Sequence, residues 1–381
     1  MGCSNTPLSE NGTAIHGCPD SGPVNSTADG NPAIPLYNST APRCGGGGGG
    51  GAAGEACNAD VVQQPADLTT LDDHYVRHVS DFLALHAAGG PRAGRPFFAY
   101  VPFSHTHVPL SHNPRFQNKS RVNTLFGDTL LEMDDTFGRI MAALEAAALD
   151  ENTLVLVVGD NGPWNVKCED AGSQGPFVGQ WMLNQPNGSR AGTGKFTAWE
   201  GGHREASFAY WPRGIAGPGR VSNVTLHVMD FLPTLAALAG VALPADRHYD
   251  GVDFSAVLTS GGDVALPRDF LWHQTGGELV AARHGRYKAF FKTAAAGGCA
   301  DPSPKVKDEE HDPPLLFDLE ADEAESTPIV NATLAQLFVD ARAAILADVQ
   351  NSFRTQSNYS GGGWTWWACC NSANAACQCE L

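Results

Sequence analysis

No apolar run in the 381 residues approaches the roughly 18 residues that a membrane-spanning helix needs. Positive charge is scarce: Lys plus Arg number 24 against 41 Asp plus Glu. The resulting net charge of −17 argues against nucleic-acid binding, which draws its affinity from basic contacts to phosphate. The opening Met1-Gly2-Cys3-Ser4-Asn5-Thr6 has no basic segment followed by an apolar one, so it does not read as a signal peptide. The ten cysteines include no Cys-x-x-Cys pair, the spacing a structural zinc site favours. The run Gly192-Thr193-Gly194-Lys195 lacks the spacing of a phosphate-cradling P-loop.

What is present is enough for a sizeable core. Apolar residues make up 42% and charged residues 17%, and the length suits two domains or one large one. Eight of the ten cysteines crowd two loop-like stretches: Cys3, Cys18, Cys44 and Cys57 near the start, and Cys369, Cys370, Cys377 and Cys379 at the end. Such clusters read as disulfide staples. Asn-x-Ser/Thr sequons occur at Asn11, Asn25, Asn38, Asn118, Asn187, Asn223, Asn331 and Asn358, where chance predicts about two or three. Both signals point to the secretory pathway. Against them, Met1 to Thr6 fits the short M-G-x-x-x-[ST] acylation pattern of a cytosolic protein. The conflict resolves if Met1 is not a biological start.

Residues 1–66 are loop-like, with a glycine run from Gly45 to Gly51. Leu71, Tyr75, Val79, Phe82 and Leu85 recur at helical steps and predict a helix over 71–88, ended by Gly89-Gly90-Pro91. The apolar run at 96–101 predicts a buried strand. A long helix is expected over about 124–149, with Met133, Phe137, Ile140, Met141 and Leu144 on its core face. Further strands are expected at 154–158 and 208–211, and a short helix over 230–239 carries Pro233 in its first turn. Strands alternating with helices predict an α/β fold with a mostly parallel central sheet. From about residue 265 the texture changes to short strands at 270–272, 279–283, 287–291 and 315–319. A closing helix follows over 332–350, giving a smaller α+β domain with an antiparallel sheet. The expected organisation is thus 1–66, 67–264, 265–360 and a Cys-rich tail at 361–381.

Ligands of α/β folds bind beyond the carboxyl ends of strands. His105 and His107 follow the first predicted strand, and Asp160 and Asn161 follow the second. Carboxylate and amide oxygens side by side suit a hard cation such as calcium or magnesium, although Asp-Asn-Gly is also an ordinary turn. His105 and His107 could equally cap their loop. The glycines around Lys195 would let an ammonium and the backbone approach an anion, or would simply make a flexible surface loop.

Taken together and in order, these segments resemble the sulfatase family of the alkaline phosphatase superfamily. The matching pieces are Pro96 to Tyr100 leading to His105-Thr106-His107-Val108-Pro109, then Asp160-Asn161-Gly162-Pro163, Gly192 to Lys195 with Glu200-Gly201-Gly202-His203-Arg204-Glu205, and Asp230 to Leu235. Gly285-Arg286-Tyr287-Lys288 and Pro313 to Leu319 extend the match, which covers about residues 68–381.

The resemblance implies a sulfuric ester hydrolase that takes a small-molecule, glycan or lipid sulfate ester. No nucleic-acid partner is implied, and a homo-oligomer is left open. It implies that Asp160 and Asn161 are ligands of an active-site Ca2+, with Mg2+ as the alternative. Lys195 and His107 would bind the sulfate, and His107 would assist the leaving group. Glu200 and Arg204 would brace their loop and His105 would lie behind the site. By the same analogy, Cys369 pairs with Cys377 and Cys370 with Cys379, one of the three connectivities that sequence alone allows four cysteines, and Cys168 and Cys299 are left as a candidate bridge between the active-site loop and the small domain. The family's formylglycine nucleophile arises from the cysteine of C-x-[PA]-x-R, and no cysteine of this chain begins that pattern. The aspartate pair of the family's first strand has no counterpart either. The expectation is therefore an N-terminally truncated arylsulfatase-type chain, lysosomal or extracellular, inactive alone. The alternatives are a non-catalytic sulfatase-like protein and a related metal-dependent phosphatase or phosphodiesterase.

Overall fold

The computed structural model describes residues 36–37, 61–63 and 67–352, apart from 276 and 305. The glycine run, the tail cysteines Cys369, Cys370, Cys377 and Cys379, and the sequons Asn11, Asn25, Asn38 and Asn358 lie outside the described residues. The chain divides into two compact units, residues 1–144 with 354–381, and residues 145–353.

In the first unit, β1 (Leu36–Tyr37) pairs antiparallel with β2 (Val61–Gln63). Asp67 caps the turn that leads into α1 (Leu71–His86), accepting from the Thr69 amide at 2.9 Å. Asp72 and Asp73 stand in the first turn of α1, where the helix dipole favours negative charge. The helix ends two residues earlier than expected. Gly90 folds back so closely on the carbonyls of Ala84 and Leu85 that a side chain would collide with them.

The predicted strand at 96–101 forms no ladder. Its backbone pairs with nothing among the described residues, and Phe98 and Tyr100 are 72% and 79% exposed, so the expectation of a buried strand there is corrected. An apolar run is a strand only when a neighbour supplies hydrogen bonds. Phe97 turns inward, onto Phe82 and His86 of α1.

The helix α2 (Leu125–Ala146) departs from expectation in its buried face. Of the five predicted core residues only Leu144 is fully buried. The buried set also includes Asp128, Thr129, Glu132 and Thr136. These polar groups are tolerated because each is matched. The Asp128 carboxylate accepts from the amides of Asn118, Lys119 and Ser120, and Thr136 donates to Asp72.

The second unit contains, in order, β3 (Val155–Val158), α3 (Gln180–Leu183), β4 (Ala191–Gly192), α4 (Glu200–His203), β5 (Ser207–Tyr210), α5 (Phe231–Leu238) and α6 (Ser255–Thr259). Then come β6 (Leu271–Thr275), β7 (Glu278–His284), β8 (Tyr287–Thr293), β9 (Ala296–Gly297), β10 (Glu309–Asp318) and α7 (Ala332–Ser352). β3 and β5 pair antiparallel, from Val155 against Tyr210 to Val158 against Ser207. The expected mixture of helices and strands is present. Every strand pairing among the described residues is antiparallel, however, so the parallel part of the central sheet is not seen there.

The small-domain sheet has the order β10-β8-β7-β6. Its β7–β8 turn needs Gly285, whose φ is +56°. Side chains alternate between its two faces. Ala281, Phe290 and Phe317 pack with Trp199 and Met182 on one side, and Ala282, Phe291 and Leu316 pack with Ala335 and Phe338 of α7 on the other. Trp199 is fully buried, so residues 145–264 and the small domain share one core.

Candidate active site

Asp160 and Asn161 lie directly beyond the last residues of β3. The turn they start is held by the Gly192–His203 segment. Gly162 donates its amide to Gly202 O at 3.0 Å, and Lys195 donates its own to Pro163 O at 2.9 Å. Any substituent on Gly162 would run into Gly201 O, so only glycine permits this approach. Gly194 N–H donates to Asn165 Oδ1 at 2.8 Å, closing the same seam. Asp160, Asn161 and Lys195, read from separate stretches of sequence, thus stand on two loops stitched together by backbone bonds.

Asp160 is exposed. Asn161 donates Nδ2 to Gly162 O at 3.0 Å, which orients its Oδ1 as an acceptor. Beside Asp160 lies Glu205, a residue that sequence reasoning did not single out. Burial and the Asp160 charge push its carboxyl above the usual range, and its Oε1 is buried with no hydrogen-bond partner. An orphaned carboxylate oxygen next to Asp160 fits a site for a hard cation. The Lys195 ammonium stands 5.9 Å from the Trp164 ring and 5.5 Å from that of Phe196, while Lys167 stands 4.5 Å from Trp164. Two cations therefore face one indole.

Behind these loops is a buried charge network. Lys288 Nζ lies 2.9 Å from both Glu200 Oε1 and Glu325 Oε1, and Glu325 Oε2 accepts from the Glu200 amide at 2.7 Å. Arg204 and Arg283 each lie 3.5 Å from Glu200 Oε2. Burial opposes charge on Glu200, yet Lys288 and His203 hold its carboxyl well below the usual range. Burial pulls the neighbouring His203 and His273 down. The network fixes α4, and α4 carries the Gly201-Gly202 pair on which Gly162 rests. Cys168 and Cys299 are joined by a disulfide of 2.16 Å, which ties the loop after Asn161 to the segment following β9.

His105 and His107 belong to the first unit. His107 is exposed, with Nδ1 2.6 Å from Val108 O. It shares the lining of a cavity of about 320 Å³ with His105, Leu71, Phe103 and Pro109. His105 points between two helices, its Nε2 3.1 Å from Glu132 Oε2 on α2 and 3.7 Å from Asp72 Oδ2 on α1. Burial pushes the Asp72 carboxyl up, and the His105 charge pulls against that. Asp72, His105 and Glu132 offer ligand atoms all within 4.8 Å of one another. Sequence reasoning missed this trio because its members stand far apart in sequence and follow no motif.

The sulfatase family profile matches residues 20–241, and that of the C-terminal region of aryl-sulfatase matches residues 266–379. Arylsulfatase G of Canis lupus familiaris is 36% identical over 343 residues, covering 85% of this chain and 59% of that protein. Arylsulfatase A of Homo sapiens is 36% identical over 277 residues, covering 71% of this chain and 50% of that protein. Among solved structures, the PsFucS1 sulfatase of Pseudoalteromonas sp. shares the fold at a TM-score of 0.62 and 24% identity, covering 76% of this chain and 57% of its own. The chain therefore spans about three fifths of the length of such relatives, or less.

Proposed function

Since the chain belongs to the sulfatase family, we propose that it carries part of the active site of an arylsulfatase-type sulfuric ester hydrolase. The observation that carries this reading is the stitched pair of loops that presents Asp160, Asn161 and Lys195 together. In this reading Asp160 and Asn161 hold a calcium ion, with magnesium as the alternative, and Glu205 supplies added negative charge beside them. The ion would neutralise charge on the sulfuryl oxygens. Lys195 binds a sulfate oxygen through its ammonium, and Trp164 with Phe196 forms an apolar wall that strengthens this attraction by excluding water. For His107, on a loop of the first unit, the reading keeps only what the family resemblance implies, a sulfate-binding and proton-donating imidazole.

The chain's 381 residues do not contain the C-x-[PA]-x-R nucleophile motif, which also favours a second reading, a sulfate-binding chain without turnover. The exposed sequons at Asn118, Asn187, Asn223 and Asn331, together with the Cys168–Cys299 bond, support passage through the secretory pathway, to a lysosome or the cell exterior. The test is binding and turnover of an aryl sulfate by the full chain in Ca2+. Saturable binding that is lost in Lys195→Ala and weakened in Asp160→Asn is expected, without release of sulfate. Binding indifferent to both substitutions overturns the site. Sulfate release by this chain overturns the requirement for the missing motif.

A further inference from the structure

We propose that Asp72, His105 and Glu132 form a binding site for a divalent transition-metal cation, Zn2+ foremost, separate from the oxygen site at Asp160 and Asn161. Three observations carry it. The first is geometry. Zinc bonds of about 2.1 Å set neighbouring tetrahedral donors about 3.4 Å apart. The distances from His105 Nε2, 3.1 Å to Glu132 Oε2 and 3.7 Å to Asp72 Oδ2, bracket that value.

The second is charge. The side chains of Asp72, Glu132 and His105 are only 1%, 3% and 6% exposed. Among the described residues neither carboxylate has a Lys or Arg ion-pair partner; the imidazole alone faces them. Two buried carboxylates against one imidazole leave negative charge that a dication would cancel. The third is an orphan: Asp72 Oδ1 is buried with no hydrogen-bond partner, while Oδ2 of the same carboxylate faces His105.

The surroundings resemble those of a metal centre. Asn113 N–H lies 3.1 and 3.0 Å from the two oxygens of Glu132, and Thr136 Oγ1 donates to Asp72 Oδ2 at 2.8 Å. Such outer bonds orient ligands. Each ligand comes from a different element, α1, the 104–109 loop and α2, so the ion would clamp the loop that bears His107. His105 also lines the 320 Å³ cavity, which gives an ion a route in. One imidazole with two carboxylates selects zinc and its neighbours over calcium, which prefers an all-oxygen shell.

The experiment dialyses the full chain against Zn2+ and measures metal per chain, alongside Asp72→Asn, His105→Asn, Glu132→Gln and, as a control, Asp160→Asn. One equivalent is expected to disappear, or its affinity to fall at least about tenfold, in the first three variants, and to persist in the control. Co2+ in place of zinc should give a d–d spectrum from this site without thiolate charge-transfer bands, which separates it from any cysteine site. Since a ligand variant could fail to fold, chelation of the unaltered chain provides a second measurement: the melting temperature should fall and recover on adding Zn2+. Equal zinc content in all folded variants, a Co2+ spectrum of thiolate type alone, or a melting temperature indifferent to chelation and zinc would overturn the proposal.

Discussion

The two units solve the burial of charge in opposite ways. In the second, Lys288 is enclosed between Glu200 and Glu325, with Arg204 and Arg283 close to Glu200. In the first, Asp72 and Glu132 share the single imidazole of His105. The lysine sits on a strand of the small-domain sheet, the imidazole on a loop. The first arrangement works as a fixed brace behind the Asp160 and Lys195 loops. The second leaves negative charge that the proposed dication would cancel.

This contrast can be tested by removing its parts in turn. Lys288→Met should be the most damaging, because it strands two buried carboxylates; a loss of about 3–5 kcal/mol is expected from urea unfolding. If the loss is under about 1 kcal/mol, the network is no brace. Replacing Cys168 and Cys299 together by serine removes the covalent tie in the same unit, and should cost about 2–4 kcal/mol by the same measurement.

In the first unit, Thr136→Val deletes the hydrogen bond that orients Asp72. It should cost about 1–3 kcal/mol, since a buried carboxylate oxygen loses its donor. A further probe is pH. Three backbone amides, led by that of Ser120, hold the Asp128 carboxyl down to about 2. A depressed pKa stabilises the fold above the unfolded value of 3.8, and this contribution is lost as pH falls towards about 2. Protection of the amides of residues 118–120, measured against their intrinsic exchange rates, should therefore fall across that window, and Asp128→Asn should remove the dependence. The smallest effect belongs to the half-exposed Arg139–Asp73 pair at 2.6 Å, where Arg139→Ala should cost only about 0.2–1 kcal/mol.

Sequence carried much of the second unit and less of the first. The small-domain strands are short apolar runs with a glycine turn between them, and such local signals survive without tertiary information. The loops that bear Asp160, Asn161 and Lys195 were legible through their motifs, because each lies beside glycines that the seam requires. The burial of α2 was not legible. Asp128, Glu132 and Thr136 look like solvent-facing residues until their partners at 118–120, 105, 113 and 72 are known, and those contacts bridge up to 64 positions. The run at 96–101 misled because hydrophobicity reports affinity for a core, not the presence of a partner strand. Glu205 escaped notice because its significance lies in the strand beside it: the Gly159 amide donates to Ala206 O and brings Glu205 level with Asp160.

The Cys168–Cys299 bond also makes part of the chain a covalent ring, since its ends lie 131 positions apart. A protease that cuts once anywhere between them opens the ring without freeing a fragment. The nicked molecule would migrate as one species on a non-reducing gel and as two after reduction, with the Lys195 loop still fastened to both pieces in the meantime.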